Sequence, residues 1–204
     1  MQDAFIGSWT QQSHVAPEHL HSMRGLNRRF LDLAADGLFT PGLEAQVAPL
    51  SPAQRAAAAN CPYALFDLRF EDGCYWKSRL ELSGFGTFAI ADELRICGDT
   101  VDFARLALFY AWHLASSAAL TAHLLFGLRS ETVEAFRLVP VDALPALAYS
   151  EAANLTARWS GCSTYWTALI GAAARPDSAA LRRVQLSGFQ LAAAAQLPSE
   201  PREV

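Results

Sequence analysis

The feature that most constrains this chain is a long stretch, residues 106–128, that contains no Asp, Glu, Lys or Arg. About 20 apolar residues can cross a bilayer, and the same length can form the central helix of a soluble bundle. The bundle is favoured because His113, Ser116 and Thr121 dilute the stretch and weaken its transfer into lipid. We therefore predict a mostly α protein, a helical bundle around a buried central helix at about 101–126, with no membrane span.

One side of this central helix is lined by alanines at helical spacing. Successive side chains advance by about 100°, so these alanines share a face that a second helix can approach closely. Such a seam suits either the core of one chain or the interface of a homodimer. The predicted seam consists of Ala107, Ala111, Ala115, Ala118 and Ala122.

Composition narrows the class of function. The formal net charge of −4 provides no basic field that would capture nucleic acid unaided. The four cysteines are irregularly spaced, without a C-x-x-C pair or a zinc-finger pattern, which is typical of thiols in a reducing cytosol. The N-terminal residues lack a basic segment followed by an apolar core, so we expect no secretory signal and a cytoplasmic location.

Start and stop signals divide the chain into helices. Pro17 suits the first turn of a helix that runs to about residue 36 with an apolar stripe. Residues 51–54 (Ser-Pro-Ala-Gln) match a capping box, and Gly127 is placed to end the central helix. Further helices are predicted at about 131–138, 146–159, 165–174 and 177–196.

Two segments lack such signals. Residues 63–70 are strongly apolar but too few for periodicity to distinguish a helix from a strand. Residues 77–98 are the least helical part. The predicted organisation is one compact body, divided into an N-terminal arm at 1–16, helical half one at 17–80, a connector at 81–98, helical half two at 99–197 and a disordered tail at 198–204.

The two halves repeat a pattern. A shift of 89 residues places Arg69 on Arg158, and one further residue places residues 74–76 (Cys-Tyr-Trp) on residues 164–166 (Thr-Tyr-Trp). Each half also has an apolar helix, a glycine break and a short helix. The chain is therefore predicted to contain a duplicated helical unit, as an internal repeat.

Each unit resembles the D subunit of the bacterial flagellar master transcriptional regulator, the FlhD family. In the first unit the matching elements are residues 27–31 (Asn-Arg-Arg-Phe-Leu), 50–54 (Leu-Ser-Pro-Ala-Gln) and 68–72 (Leu-Arg-Phe-Glu-Asp). In the second unit they are residues 124–127 (Leu-Leu-Phe-Gly), Glu131, Leu144, Leu147-Ala148 and Arg158-Trp159.

The resemblance implies regulation through a protein partner. Members of the family are about half as long as this chain, form homodimers and rely on a second, metal-binding subunit for much of their DNA contact. A tandem pair of units would then make a dimer-like body within one chain. The resemblance further implies that any contact with DNA is indirect.

No catalytic constellation is present in the sequence. His19 and His21 would point to different faces of a helix, and His113 and His123 would lie roughly 15 Å apart along one. Nothing around the serines resembles a nucleophile elbow. We predict no catalytic residue, no metal site and no cofactor.

Arginines and aromatic residues are the candidates for binding a partner. Arg24, Arg28 and Arg29 form a basic cluster on the first helix. This cluster is either a solvated face with ion pairs to Glu18 and Asp32 or a patch for phosphate or an acidic partner. The full set of candidate residues is Arg24, Arg28, Arg29, Arg69, Trp76, Trp112, His123, Arg158 and Trp159.

The leading functional hypothesis is a non-enzymatic cytoplasmic bacterial regulator or adaptor that binds a protein partner, with a homodimer also possible. The first alternative is an accessory structural subunit of a type III secretion or flagellar assembly. The second is a small-molecule-binding protein or enzyme whose aromatic pocket is lined by Trp112 and His113.

Overall fold

The structure of the protein, a computed structural model, describes residues 15–37, 41–82, 98–175 and 177–196. Regular structure in these residues is almost entirely α-helical, which confirms the predicted mostly α bundle. The predicted disordered tail, most of the N-terminal arm and most of the connector lie outside the described residues. The elements of the first half are α1 (Pro17–Ala35), α2 (Pro41–Val47), α3 (Pro52–Ala59), β1 (Phe66–Asp67) and α4 (Gly73–Leu82).

The second half contains the longest helix among the described residues, α5, of 20 residues. Two short 3₁₀ turns, Val141–Ala143 and Ala152–Asn154, flank its helix α8. The elements are α5 (Gly98–Ser117), α6 (Ala119–Phe126), α7 (Ser130–Arg137), α8 (Leu144–Glu151), β2 (Thr156–Ala157), α9 (Ser163–Ala173) and α10 (Ser178–Gln196).

Local signals in the sequence position several helix ends. Pro17 is the first residue of α1. The capping box at α3 is formed, because the Ser51 hydroxyl accepts the Gln54 backbone N–H while Gln54 Oε1 accepts the Ser51 backbone N–H at 2.8 Å. Gly127 follows α6 in the left-handed conformation, with φ of 76°. These three predictions are confirmed.

The predicted central helix is present as two helices, α5 and α6, separated by Ala118. Ala118 has φ of −150° and ψ of 63°, outside the helical region. Just before it, the Ser117 hydroxyl donates to the His113 carbonyl at 2.7 Å, a bond to residue i−4 that commonly bends a helix. The outer side is open to solvent, where Leu106 and Leu120 are exposed.

The alanine seam is closed within a single chain. Ala107, Ala111, Ala115 and Ala122 have no exposed surface, and Ala118 is half-buried at the break. The helices that pack against α5 are α1, α7 and α8 of the same chain. A second copy of the protein is therefore not needed to cover the seam.

Two predicted boundaries are wrong. Residues 77–82 are helical, because Trp76 and Leu80 form a buried stripe that holds α4 against α7. The helix predicted at 146–159 is α8, which ends at Glu151, because the chain then passes through the 3₁₀ turn Ala152–Asn154 and pairs with β1 at residues 156–157. Segment 63–70, left open above, contains the two-residue strand β1.

Near the centre of the fold, corresponding elements of the two halves lie 90 residues apart in the sequence. The strands occupy residues 66–67 and 156–157, and α4 and α9 begin at residues 73 and 163. Arg69 and Trp159 both have positive φ, of 58° and 54°. The indoles of Trp76 and Trp166, which are 90 residues apart, donate to the carbonyls of Arg69 and Arg158, which are 89 apart, at 3.0 and 2.9 Å. The shift of 89 residues predicted from the sequence is thus one residue too small for these strands and helix starts.

The halves are interlocked rather than placed side by side. Strands β1 and β2 pair antiparallel, with Phe66 opposite Ala157. Helix α4 of the first half packs against α7 of the second, and α9 of the second half packs against α2 and α3 of the first. Two ring contacts join the halves. The ring centroids of Trp76 and Phe136 are 4.7 Å apart, and those of Trp166 and Phe30 are 6.5 Å apart. Each half therefore completes the core of the other.

A buried asparagine positions the chain between α3 and β1. Asn27 has no exposed surface, and its side-chain amide donates to the carbonyls of Ala59, Cys61 and Tyr63 at 3.4, 3.3 and 2.8 Å. Its Oδ1 accepts the Leu65 backbone N–H at 2.9 Å. One side chain thus satisfies backbone groups that no regular element pairs.

Replacing Asn27 by alanine should lower the free energy of unfolding by about 2–4 kcal/mol, because several buried backbone groups lose their partner. Urea unfolding followed by circular dichroism measures the change. Asn60→Ala is the control, since Asn60 is exposed and should change stability by less than about 0.5 kcal/mol. Equal effects of the two substitutions would contradict the role of Asn27.

Replacing Ala111 by leucine should destabilise the single chain by about 1–3 kcal/mol, because the seam has no space for a larger side chain. Urea unfolding and the molar mass by light scattering are the measurements. Leu106→Ala, at an exposed position of the same helix, is the control. Unchanged stability with an altered oligomeric state would instead place the seam between two chains.

Candidate partner-binding surfaces

The outer side of α1 carries three exposed arginines, Arg24, Arg28 and Arg29, here called the arginine face. The sequence allowed local ion pairs to Glu18 and Asp32. Asp32 is instead paired with Arg55 of α3, at 2.7 Å between its Oδ1 and the Arg55 Nε. Among the described residues, no carboxylate forms a salt bridge with any arginine of this face. The face therefore presents uncompensated positive charge.

Two of the predicted partner-binding residues are buried, and that prediction is wrong for them. Trp76 has no exposed surface, because its ring packs against Phe136 in the core between the halves. Arg158 is 2% exposed. Neither side chain can reach a partner in the folded protein.

Arg158 is held by an ion pair across the two halves. Its Nη2 donates to Glu71 Oε1 at 2.9 Å and its Nη1 to the Leu125 carbonyl at 3.5 Å, while the guanidinium stacks on the Trp159 ring at 4.7 Å. Gly127 leaves the space for this group, since a Cβ there would lie 2.0 Å from Nη2. A buried guanidinium requires these partners to offset its lost hydration.

The two described non-glycine residues of positive φ differ in exposure. Arg69 is exposed; it pairs with Asp72 at 2.5 Å and lies over the Tyr75 ring at 3.9 Å. Trp159 is half-buried, with edge-to-face contacts to Tyr63 and Tyr165. Its indole nitrogen is buried and has no hydrogen-bond partner in the described part of the chain. Of the pair, Arg69 is the one that can meet a partner through its polar group.

Trp112 and His123 lie on the outer side of the second half and are both half-buried. The Trp112 indole donates to the Val139 carbonyl at 2.9 Å, and His123 Nδ1 is hydrogen-bonded to the Leu128 carbonyl. The Trp112 indole N–H and His123 Nδ1 are therefore already engaged within the chain and are not available to a partner.

An open cleft of about 560 Å³ lies where the start of α4 meets the start of α7. We call it the charged cleft. Burial raises the pKa of Asp67 above its ordinary value, outweighing the Phe70 backbone N–H bond and the charge of Arg158. The Tyr75 backbone N–H and then Arg69 lower the pKa of Asp72. The lining residues are Asp67, Arg69, Glu71, Asp72, Gly73, Cys74, Arg129 and Glu131.

A smaller cleft of about 260 Å³ occupies the equivalent place in the other half, where the start of α9 meets α2. We call it the neutral cleft. Asp67 and Gly73 of the charged cleft correspond, at the shift of 90, to Ala157 and Ser163 here. Gln46 lines this cleft, and its Oε1 is buried with no hydrogen-bond partner among the described residues. The lining residues are Gly42, Leu43, Gln46, Ala157, Ser160, Ser163 and Trp166.

Sequence reasoning missed a buried polar cluster around Glu151, which is 1% exposed. Its carboxylate accepts from Arg79 Nε at 2.8 Å, from the Tyr75 hydroxyl at 2.5 Å and from the Asn154 amide at 2.6 Å. Burial and then the Glu151 carboxylate raise the pKa of Tyr75 to about 12. No signal predicts this cluster, because Arg79 and Glu151 belong to different halves and meet only through packing.

The described residues contain no group of three or more His, Cys, Asp or Glu side chains placed to hold a metal ion. Across the same ranges, every helix is too short or too polar to cross a bilayer. Comparison of the chain with protein-family models, with curated proteins and with solved structures finds no match.

Replacing Asp67 by asparagine should stabilise the protein at pH 7 and leave its stability unchanged at pH 3. The folded state holds the Asp67 proton more tightly than the unfolded state does, so the native chain loses stability as pH rises from the ordinary pKa of 3.8 through the raised value. Asparagine does not ionise, and its Oδ1 can still accept the Phe70 N–H.

Urea unfolding at the two pH values is the measurement. Asp72→Asn is the matched control of opposite sign, because the pKa of Asp72 is lowered in the folded state. Its contribution is present at pH 7 and is lost as pH falls, so this variant should be less stable than the native protein at pH 7. Loss of stability in both variants at pH 7 would contradict the assignment for Asp67.

Proposed function

We propose that this chain is a non-enzymatic cytoplasmic regulator or adaptor that binds a protein partner, as the single-chain counterpart of an FlhD-like dimer. The observation that carries the proposal is the reciprocal packing of two related halves around β1 and β2.

A fused pair of units accounts for the length of the chain. FlhD-like units, half as long, are expected to homodimerise to bury their apolar surfaces. Here α4 packs against α7 of the opposite half, and α9 packs against α2 and α3 of the opposite half as well as against α10 of its own. A single copy of the protein can therefore present the surface that two separate units would present.

The two clefts support a function in binding that differs between the halves. A homodimer presents two identical surfaces related by symmetry. In this chain the equivalent clefts differ, because one is lined by six charged side chains and the other by none. Duplication within one chain allows each cleft to specialise, and a partner would then bind in one orientation.

Direct DNA binding is not part of the proposal. The net charge of −4 opposes a phosphate backbone, and the arginine face offers only three cations. A regulator of this kind would reach DNA through its partner.

The chain should form a complex that contains one copy of itself and a DNA-binding protein. Crosslinking in the native cell, affinity purification and mass spectrometry identify the partner, and native mass spectrometry of the purified pair gives the stoichiometry. The pair should shift promoter DNA in a gel, whereas this chain alone should not.

Three outcomes would contradict the proposal. Two copies of this chain in the complex would show that the halves do not replace a homodimer. Enrichment of membrane-associated secretion components, with no DNA-binding protein, would support the assembly subunit instead. A DNA shift by this chain alone would mean that the partner is not required.

A further inference from the structure

The fold does not require the positive charge of the arginine face of α1. Arg24 and Arg28 are spaced i and i+4, and like charges at this spacing weaken a helix. Arg29 adds a third positive charge beside them. All three side chains are exposed, and none belongs to the hydrophobic core formed by the described residues.

The only carboxylate at helical reach of Arg28 and Arg29 is already used. Asp32 lies four residues after Arg28 and three after Arg29, spacings that normally form ion pairs. Its Oδ1 accepts from Arg55 Nε at 2.7 Å, and Arg55 is further held by the Leu50 carbonyl at 2.7 Å. Asp32 is therefore engaged elsewhere and does not pair with Arg28 or Arg29, although its position in the sequence would allow it.

The backbone beneath the face is rigidly positioned. Met23, Asn27, Phe30 and Leu31, on the opposite side of α1, have no exposed surface. Asn27 also bonds the segment before β1. The three guanidinium groups thus project from a fixed helix, which reduces the entropy lost when they bind.

We propose that the arginine face binds a carboxylate-rich segment of a partner protein. This inference rests on the proposed function, because it names the chemistry of the partner. Guanidinium groups form bidentate hydrogen bonds with carboxylates, and the uncompensated charge attracts an acidic segment over several ångströms.

An acidic protein segment fits better than the other anionic surfaces. A DNA duplex carries phosphates along its whole length and would extend beyond the three arginines onto the rest of a chain of net charge −4, whereas a short acidic segment can stay within the face. The charged cleft of a second copy is a poor match, since its Glu71 is paired with Arg158 and its Asp72 with Arg69.

The test uses the full chain and a fluorescein-labelled octaglutamate peptide, with binding measured by fluorescence anisotropy at 50 and 300 mM NaCl. Arg24→Glu/Arg28→Glu is the test variant. Arg182→Glu/Arg183→Glu is the control, because these are neighbouring exposed arginines on α10. Each double variant changes the formal net charge from −4 to −8. Circular dichroism and Tm establish that both variants fold.

We expect the test variant to bind the peptide at least tenfold more weakly than the native chain, and the control within threefold. Native binding should weaken as salt rises. No detectable native binding, or equal losses in the two variants, would overturn the inference. Tighter binding of a 20-base-pair duplex than of the peptide, or a salt-sensitive dimer in light scattering, would assign the face to DNA or to a second copy.

The same variants separate this inference from the proposed function. If the native chain forms a complex with a DNA-binding partner and Arg24→Glu/Arg28→Glu forms it equally well, the inference about the arginine face fails and the proposed function stands. If the native chain forms no such complex yet binds octaglutamate through α1, the proposed function fails and the assignment of the face stands.

Discussion

The ion pair between Arg158 and Glu71 is the interaction on which the centre of the structure depends. Arg158 follows β2 and Glu71 lies just after β1, so the pair joins the two halves at the ends of their strands. The Arg158 backbone N–H extends the pairing by donating to the Leu65 carbonyl at 2.9 Å. Removing Glu71 would leave the buried Arg158 guanidinium without its charged partner, a loss that is commonly worth about 3–5 kcal/mol.

The strands are only two residues long, so their pairing contributes little stability and mainly aligns the two halves. Their pairing places α4 beside α7 and α9 beside α2 and α3. The large buried rings then supply most of the apolar burial across the junction. A junction of this kind suits a binding protein, since it holds two surfaces of different chemistry in a constant relative orientation.

The two halves share a backbone turn at their centre while their surfaces differ. Positive φ at Arg69 and Trp159, and similar indole-to-carbonyl bonds from Trp76 and Trp166, are found at this turn in both halves. The side chains around that turn form a charged cleft in one half and a neutral cleft in the other. The arginine face on α1 adds a third surface, and all three lie on helices or turns fixed by the core.

The sequence by itself determined the features that depend on neighbouring residues. The apolar stripe of α1, the capping box at Ser51, the stop at Gly127 and the alanine seam all follow from spacing along one helix or one turn. The tertiary structure alone decided what depends on residues distant in the chain. Tertiary contacts limited each strand to two residues, buried the side chains of Trp76 and Arg158, and paired Asp32 with Arg55 in a salt bridge. Local periodicity does not indicate which residues of the other half a side chain will contact, and burial and ion pairing depend on those contacts.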